Sequence, residues 1–296
     1  MIKRTIYIGN PAYIKLYQNQ MLIQDPGTKE KRASIPVEDM ALLLLDHHQI
    51  TLTTQLITKL QGNNTAIITT DAHHLPFGLM LPLYGHSEYS ERIKYQLQVS
   101  EPLKKQLWKQ TVEQKITNQQ AVLSLFDKPI EAMNLYKNQV KSGDSTNMEG
   151  KAAQYYWKHL FDDFTRERHG GAPNHMLNFG YAILRSIVAR ALVSSGLLPV
   201  FGIFHKNKYN PYCLADDIME PYRPFVDKMV YNYSRQHSMP DELDRNLKAY
   251  LLQIATQDVL IKGKVRPLMV AVTTTTASLY NCFTGKNRLI LYPEID

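Results

Sequence analysis

Short apolar segments broken by turn residues mark the first eighty or so positions of the chain. RTIYIG, AYIKLYQNQMLIQ and the stretch from Lys31 to Asp71 are rich in β-branched and aromatic residues, interrupted at Gly9-Asn10, Asp25-Pro26-Gly27 and Gly62-Asn63-Asn64. Such runs with turn chemistry every ten or so residues predict a small sheet or sandwich. One helix interrupts it: Ile50 to Leu60, opened by a threonine-rich turn and closed by Gly62, has helical length and spacing. From about Tyr89 the pattern changes, because Gln, Lys, Glu and Leu dominate and strand signals vanish until the tail. The intervening LPFGLMLPLYGHSE carries Pro76, Gly78, Pro82 and Gly85 and reads as a boundary. The predicted chain is α+β: a small β-rich domain over residues 1–84, a linker over 85–91, and a larger all-α domain over 92–296 with an extended C-terminal tail.

Several helices have legible ends. Thr146 to Phe164 follows Gly143-Asp144-Ser145. His175 to Ser195 follows Gly170-Gly171-Ala172-Pro173-Asn174 and stops at Gly196, where a left-handed cap needs no Cβ. Its apolar residues fall on all sides, which predicts a central, buried helix. Pro211 to about Tyr233 begins with Asn210-Pro211, a cap followed by proline at the first helical position. Asp241 to Leu260 and Val265 to Cys282 complete the predicted bundle.

Composition narrows the partners. The 296 residues are 44% hydrophobic, enough for a sizeable core. The formal charge is +7 with a pI near 9.1, and the basic excess lies beyond residue 84. That balance suits a polyanion such as DNA, since neutralising phosphates releases counterions, although an ordinary basic surface accounts for it equally. Cys213 and Cys282 are too few for a disulfide framework or a four-cysteine zinc site. No apolar run approaches the ~20 residues of a membrane span and MIKRTIYIGN lacks a signal core, so a cytoplasmic location is expected.

Three segments carry candidate chemistry. Glu149 lies in NMEGKAAQYYWKHL at a helix start, where Thr146 and Glu149 also have the spacing of a capping box. His205 closes GLLPVFGIFHKN, where a packed, hydrogen-bonded imidazole is the plainer expectation. Asp216, Asp217 and Glu220 in LADDIMEPYRP project opposite Leu214, Ile218, Met219, Tyr222 and Phe225, which also describes a solvated acidic face. Together, one imidazole and two or more carboxylates from separate helices form a mixed set suited to a hard divalent cation. The nitrogen tilts such a set from Mg2+ towards Mn2+. His47-His48 with Asp46, and His73-His74 with Asp71, are ligand-rich, but neighbours on a strand point to opposite faces, so neither pair is expected to converge. Arg166, Arg168, Lys206, Lys208 and Arg223, with Arg245, Lys248, Lys262, Lys264 and Arg266 further on, are candidate phosphate contacts or solvated charges. Asn178 and Tyr181, one turn apart, orient a ligand or a buried hydrogen bond.

The NMEG-AA element, the Gly180-Tyr181 pair inside NHMLNFGYAIL, the GLLPVFGIFH turn and LADDIMEPYRPFVD together resemble the CRISPR-associated integrase family over most of residues 144–230. The ending KVRPLMVAVTTTTASLYNCFTGKNRLILYPE is similar to its type II branch. The resemblance implies that the all-α domain is catalytic, that Glu149, His205 and Glu220 are metal ligands for Mg2+ or Mn2+, and that Asp217 is a supporting acid. Asp216 is an adjacent carboxylate able to exchange roles with Asp217. The implied reaction inserts foreign DNA fragments into a CRISPR array, a 3′-hydroxyl attacking the repeat boundary by transesterification. Implied partners are double-stranded DNA, a second copy of the chain through the first domain, a small ferredoxin-like adaptation subunit and type II accessory proteins. A stand-alone endonuclease for branched DNA, or a non-catalytic DNA-binding scaffold, are the alternative readings.

Overall fold

A computed structural model describes residues 3–167 and 170–296. Its β-rich part runs β1 (Arg4–Ile8), β2 (Ala12–Tyr17), β3 (Gln20–Gln24), β4 (Lys31–Pro36), β5 (Met40–Leu45), β6 (Ile50–Leu52), α1 (Thr54–Gly62), β7 (Ala66–Thr70) and β8 (Pro76–Met80). The strands form two sheets, ordered β1-β5-β7-β8 and β4-β3-β2-β6. In the first, β1, β5 and β7 are parallel and β8 closes one edge antiparallel. The continuous run MALLLL of β5 is buried at every position, as a parallel strand covered on both faces requires. Alternation assigns its side chains: Leu42 and Leu44, with Ala66 and Ile68 of β7, join the core of the helical part. Leu43, Leu45 and Ile67 turn the other way, onto Ile14, Met21, Leu56 and Leu60. The first sheet is therefore the middle layer of the molecule. One predicted boundary moves: Ile50–Leu52 pairs parallel with Ala12–Ile14, and the helix starts only at Thr54, where the Thr53 hydroxyl accepts the Leu56 N–H.

The helical part comprises α2 (Tyr89–Leu97), α3 (Glu101–Leu125), α4 (Glu131–Asn138), α5 (Met148–Leu160), α6 (Asn174–Ser194), α7 (Cys213–Met219), α8 (Arg223–Gln236) and α9 (Arg245–Leu252), then β9 (Asp258–Ile261), β10 (Lys264–Pro267) and α10 (Leu268–Phe283). Helix α2 thus begins inside the segment read as linker. α6 is the central helix expected from its all-round apolarity, ending at Gly196 with φ +72. By length and composition α6 could cross a membrane, which corrects the expectation that no apolar segment reaches that size. The protein buries 83% of its apolar window. Gly180 is the contact point of α6 with α8, since a Cβ there would lie 2.5 Å from a Val226 methyl.

Two further predictions change. The single helix expected over Pro211–Tyr233 is two helices joined by a 3-10 turn over Glu220–Tyr222, because Pro221 has no N–H to continue the ladder. The predicted helices Asp241–Leu260 and Val265–Cys282 give way between Asp258 and Pro267 to a hairpin. Lys262 and Gly263 both have positive φ, as a two-residue turn of this kind needs. The helical domain is accordingly not purely α.

Candidate active site

Glu149 is delivered by the first turn of α5. Capping is not its role: Asn147, in the left-handed region at φ 51, accepts the Gly150 N–H, and Asp144 accepts those of Met148 and Glu149. Thr146 instead donates its hydroxyl to the Gln139 carbonyl. With the helix end satisfied by others, the Glu149 carboxylate is free to face α3. There its Oε1 lies 2.6 Å from the Lys115 ammonium, whose Nζ also stands 2.5 Å from Oε2 of Glu220. Two carboxylates from separate elements thus converge on one cation.

Glu220 sits where α7 ends and the chain turns at Pro221, and is 6% exposed. Arg223, one turn on, donates to its Oε1 at 2.7 Å. Burial alone would raise this carboxyl, but Arg223 and Lys115 outweigh it and hold the pKa down at about 2. Burial would likewise depress Lys115, yet Glu220 and Glu149 push it up. Glu220, Lys115 and Arg223 are therefore charged together. Asp216, Asp217 and Glu220 are all buried, so the solvated acidic face is overturned: each carboxylate has its own partners.

Asp217 is fully buried and accepts the backbone N–H groups of Ile203, Phe204 and His205 and the His205 Nδ1, the last at 2.5 Å. Gly202 permits this wrap, since a Cβ there would meet the His205 carbonyl at 2.5 Å and the Asp217 carboxylate at 2.7 Å. Held through Nδ1, the imidazole keeps Nε2 for another partner. Its ring stands edge-on to Trp108, which stacks on Phe204. The hydrogen bond to Asp217 raises the His205 pKa against burial, and the charges of Glu220 and Glu149 add to it. Both glutamates are thus close enough for His205 to feel them. Asp216 points elsewhere, to Arg185 at 2.6 Å and Asn210 at 2.7 Å, so it does not exchange roles with Asp217.

Among the described residues no three His, Cys, Asp or Glu side chains stand as a formed metal cluster. The Lys115 ammonium lies between the two carboxylates that the sequence assigns to an ion. The donor chemistry itself fits a hard divalent cation: two carboxylate oxygens that already meet at one cation, and an imidazole whose second nitrogen is orientated.

Around this centre, Arg166 donates to Asn174 and Asn178, and its guanidinium lies 5.3 Å from the Tyr181 ring centroid. Arg223 approaches the same ring at 4.6 Å. The Tyr181 and Tyr156 hydroxyls both donate to Asp227, whose pKa burial raises to about 7. Lys206 and Lys208 are exposed beyond His205, the first paired with Glu101 at 3.1 Å and the second over Tyr209. Arg245 is exposed at the start of α9. Lys248 corrects the sequence reading, being only 4% exposed and bound to Asp46 at 2.7 Å, where no phosphate reaches it. His74 meets the same carboxylate at 2.7 Å, so one histidine of the dismissed pairs does converge, through a loop rather than a strand. Arg168 lies outside the described residues. Lys115 was missed by the sequence reading; its only signal was a charge on the buried side of α3.

A family model described as CRISPR associated protein Cas1 matches residues 6–263. A CRISPR-associated endonuclease Cas1 of Neisseria meningitidis serogroup C (strain 8013) is 34% identical over 298 residues, taking in 100% of this chain and 97% of its own. This chain belongs to the Cas1 family. Its fold is also that of a casposase solved bound to an integration product, at a TM-score of 0.80 and 20% identity, covering 98% of this chain and 92% of that one. A chain of a Cas6-RT-Cas1–Cas2 complex superposes at a TM-score of 0.76 and 18% identity, covering 98% of this chain and 36% of the other. The Cas1-family match takes in α5, the Gly202–His205 wrap and the break at Pro221, the three places that position Glu149, His205 and Glu220.

Proposed function

We propose that this Cas1-family chain is a divalent-metal-dependent DNA integrase of CRISPR adaptation, joining the 3′-hydroxyl of a foreign DNA fragment to the repeat boundary of a CRISPR array, and acting as an endonuclease when water replaces that hydroxyl. The observation that carries the proposal is the meeting of Glu149 and Glu220 at one cation beside an imidazole orientated by Asp217. Glu149, Glu220 and His205 Nε2 are the atoms that would hold Mg2+ or Mn2+. When bound, such an ion offsets charge on the phosphoryl oxygens and acidifies the attacking hydroxyl.

The chain's own residues do the rest. Asp217 fixes the imidazole, Arg223 keeps Glu220 ionised, and Lys115 and Arg223 set positive charge beside the phosphate position. Arg166, Lys206, Lys208 and Arg245 extend that field towards the DNA backbone. The partners that accord with this reading are duplex DNA, a second copy of the chain through the β-rich part, a small ferredoxin-like adaptation subunit and type II accessory proteins. The Cas1–Cas2 assembly among the similar structures supports the small subunit.

Strand transfer of a labelled fragment into a repeat-bearing plasmid tests the proposal, with Mg2+ and Mn2+ titrated separately. Glu149→Ala, His205→Ala and Glu220→Ala are expected to abolish joining while DNA retention persists, and Mn2+ to act at lower concentration than Mg2+ in the wild type. Joining by two of the three variants at near wild-type rate would overturn the ligand assignment. Free ends without joined product would favour a stand-alone endonuclease.

A further inference from the structure

Glu220 sits on a weak piece of backbone. The 3-10 turn over Glu220–Tyr222 is three residues long, and Pro221 has no N–H to give to it, so the turn contributes little to its own rigidity. Where the Glu220 carboxylate stands is therefore decided by what grips the two residues that follow it. Each of them is held through one wholly buried polar side chain, Asn118 of α3 and Thr275 of α10.

Asn118, one turn beyond Lys115, has two amide hydrogens and uses both: Nδ2 donates to the Pro221 carbonyl at 2.7 Å and to the Pro293 carbonyl at 3.0 Å. Its Oδ1 accepts from Gln114 at 3.1 Å, which fixes the orientation of the amide. Thr275 has a single hydroxyl hydrogen, which goes to the Leu291 carbonyl at 2.5 Å, so its oxygen accepts the Tyr222 hydroxyl at 2.6 Å. Pro221 is thus tied to Pro293 and Tyr222 to Leu291, two bridges from one turn to one segment. That segment, residues 288–294, is itself fastened along its length. Gln110 pairs with both Arg288 and Ile290, Ser278 accepts the Leu291 N–H, the Tyr292 hydroxyl meets Thr111 at 2.8 Å, and Glu294 pairs with Leu260 of β9.

We propose that residues 288–294 brace the Glu220 carboxylate for cation binding, with Asn118 and Thr275 as the positioning residues that carry the brace to the turn. The inference rests on the reading of Glu220 as a metal ligand and gives a role to the extended tail, which that reading leaves unused. The competing account is that the tail only completes the core, where Ile290 and Tyr292 are buried. The two separate physically. Core burial adds to the stability of the whole fold, whereas a brace adds to the free energy of holding an ion at one carboxylate. Thr111 supplies the contrast, since it fastens the same segment at Tyr292 and makes no hydrogen bond to the turn.

The experiment titrates Mn2+ alone into full-length, DNA-free protein, following free Mn2+ by electron paramagnetic resonance, with urea unfolding of each variant alongside. Asn118→Leu and Thr275→Val are expected to bind Mn2+ roughly 10- to 100-fold more weakly than wild type. Thr275→Ser keeps the hydroxyl and should bind as wild type does, and Thr111→Val should lose stability with Mn2+ affinity unchanged. Wild-type affinity in Asn118→Leu or Thr275→Val, or an equal loss in Thr111→Val, would overturn the brace and leave the tail a piece of core. A wild type that binds no Mn2+, or Glu220→Ala binding as tightly as wild type, would sink the ligand reading and the brace with it. Should Asn118→Leu not fold, the two Thr275 variants decide, because valine keeps the shape and loses the hydroxyl while serine keeps the hydroxyl.

Discussion

Lys115 is the side chain on which the charged centre turns, since it is the shared counter-cation of Glu149 and Glu220. Removing one partner of a buried ion pair leaves the others uncompensated, at a cost of about 3–5 kcal/mol for a fully buried set and towards the lower end here, where Glu149 reaches solvent. Lys115→Met is expected to lower the Tm accordingly in the presence of chelator, and Mn2+ to restore part of the loss, because an ion held by the two carboxylates replaces the missing charge. Thermal unfolding with and without Mn2+ checks both, and an unaltered Tm in chelator would mean the carboxylates do not depend on this lysine. The helix start makes a separate prediction. Asn147→Ala loses a cap and the local side-chain hydrogen bonding that makes a left-handed backbone tolerable there, costing about 1–2 kcal/mol, whereas Glu149→Ala leaves the caps in place and Lys115 still paired with Glu220, and should cost less in urea. The reverse order would return Glu149 to the capping box suggested by its spacing.

At the scale of elements, the site depends on how closely α6 and α8 cross. Gly180 is the residue at which they meet, and the next residue, Tyr181, reaches Asp227 of α8 because the axes are close. Gly180→Ala drives a methyl into Val226 and is expected to destabilise by about 1–3 kcal/mol. The companion change Val226→Ala makes room, so the double variant should recover most of the loss in chemical denaturation. Simple addition of the two losses would show that the crossing is not set by this contact. Pro221 works at the same scale: by ending α7 it turns Glu220 towards α3, while Arg223 opens the next helix on the same side.

For the whole molecule, the β-rich and helical parts are held by a continuous core across the middle sheet and by one buried charged cluster. Asp46, at the end of β5, accepts Lys248 from α9, His74, the Tyr7 hydroxyl and the Thr70 hydroxyl. Burial would raise its carboxyl, but hydrogen bonds from Lys248, His74, Tyr7 and Thr70 outweigh it and hold the pKa below the usual 3.8. The folded state therefore binds fewer protons than the unfolded one just below pH 4. The stabilisation is complete above that range and is lost as pH falls through the folded value. Asp46→Asn is expected to be less stable than wild type at pH 7, and the gap to shrink as denaturation is repeated down to pH 2. A gap independent of pH would show that Asp46 contributes by shape and not by charge.

The sequence by itself determined the broad order, a β-rich part before a mostly helical one, and the residue types of the candidate site, because these depend on local pattern. β-rich segments precede helices, α6 is apolar on every side, Gly196 closes it, and Glu149, His205, Asp217 and Glu220 stand in contexts that resemble one family. Only the tertiary structure decided what depends on residues distant in the chain. Lys115 precedes Glu149 by 34 positions and Glu220 by 105, so no local pattern announces that one ammonium serves both carboxylates. Lys248 and Asp46 are 202 positions apart, and a lysine on a short amphipathic helix reads as solvated until a buried carboxylate is seen opposite it. The same distinction separates Asp216 from Asp217: adjacent in sequence and equal in charge, they face different elements, one towards Arg185 and the other into the backbone that carries His205, because neighbours on a helix point about 100° apart.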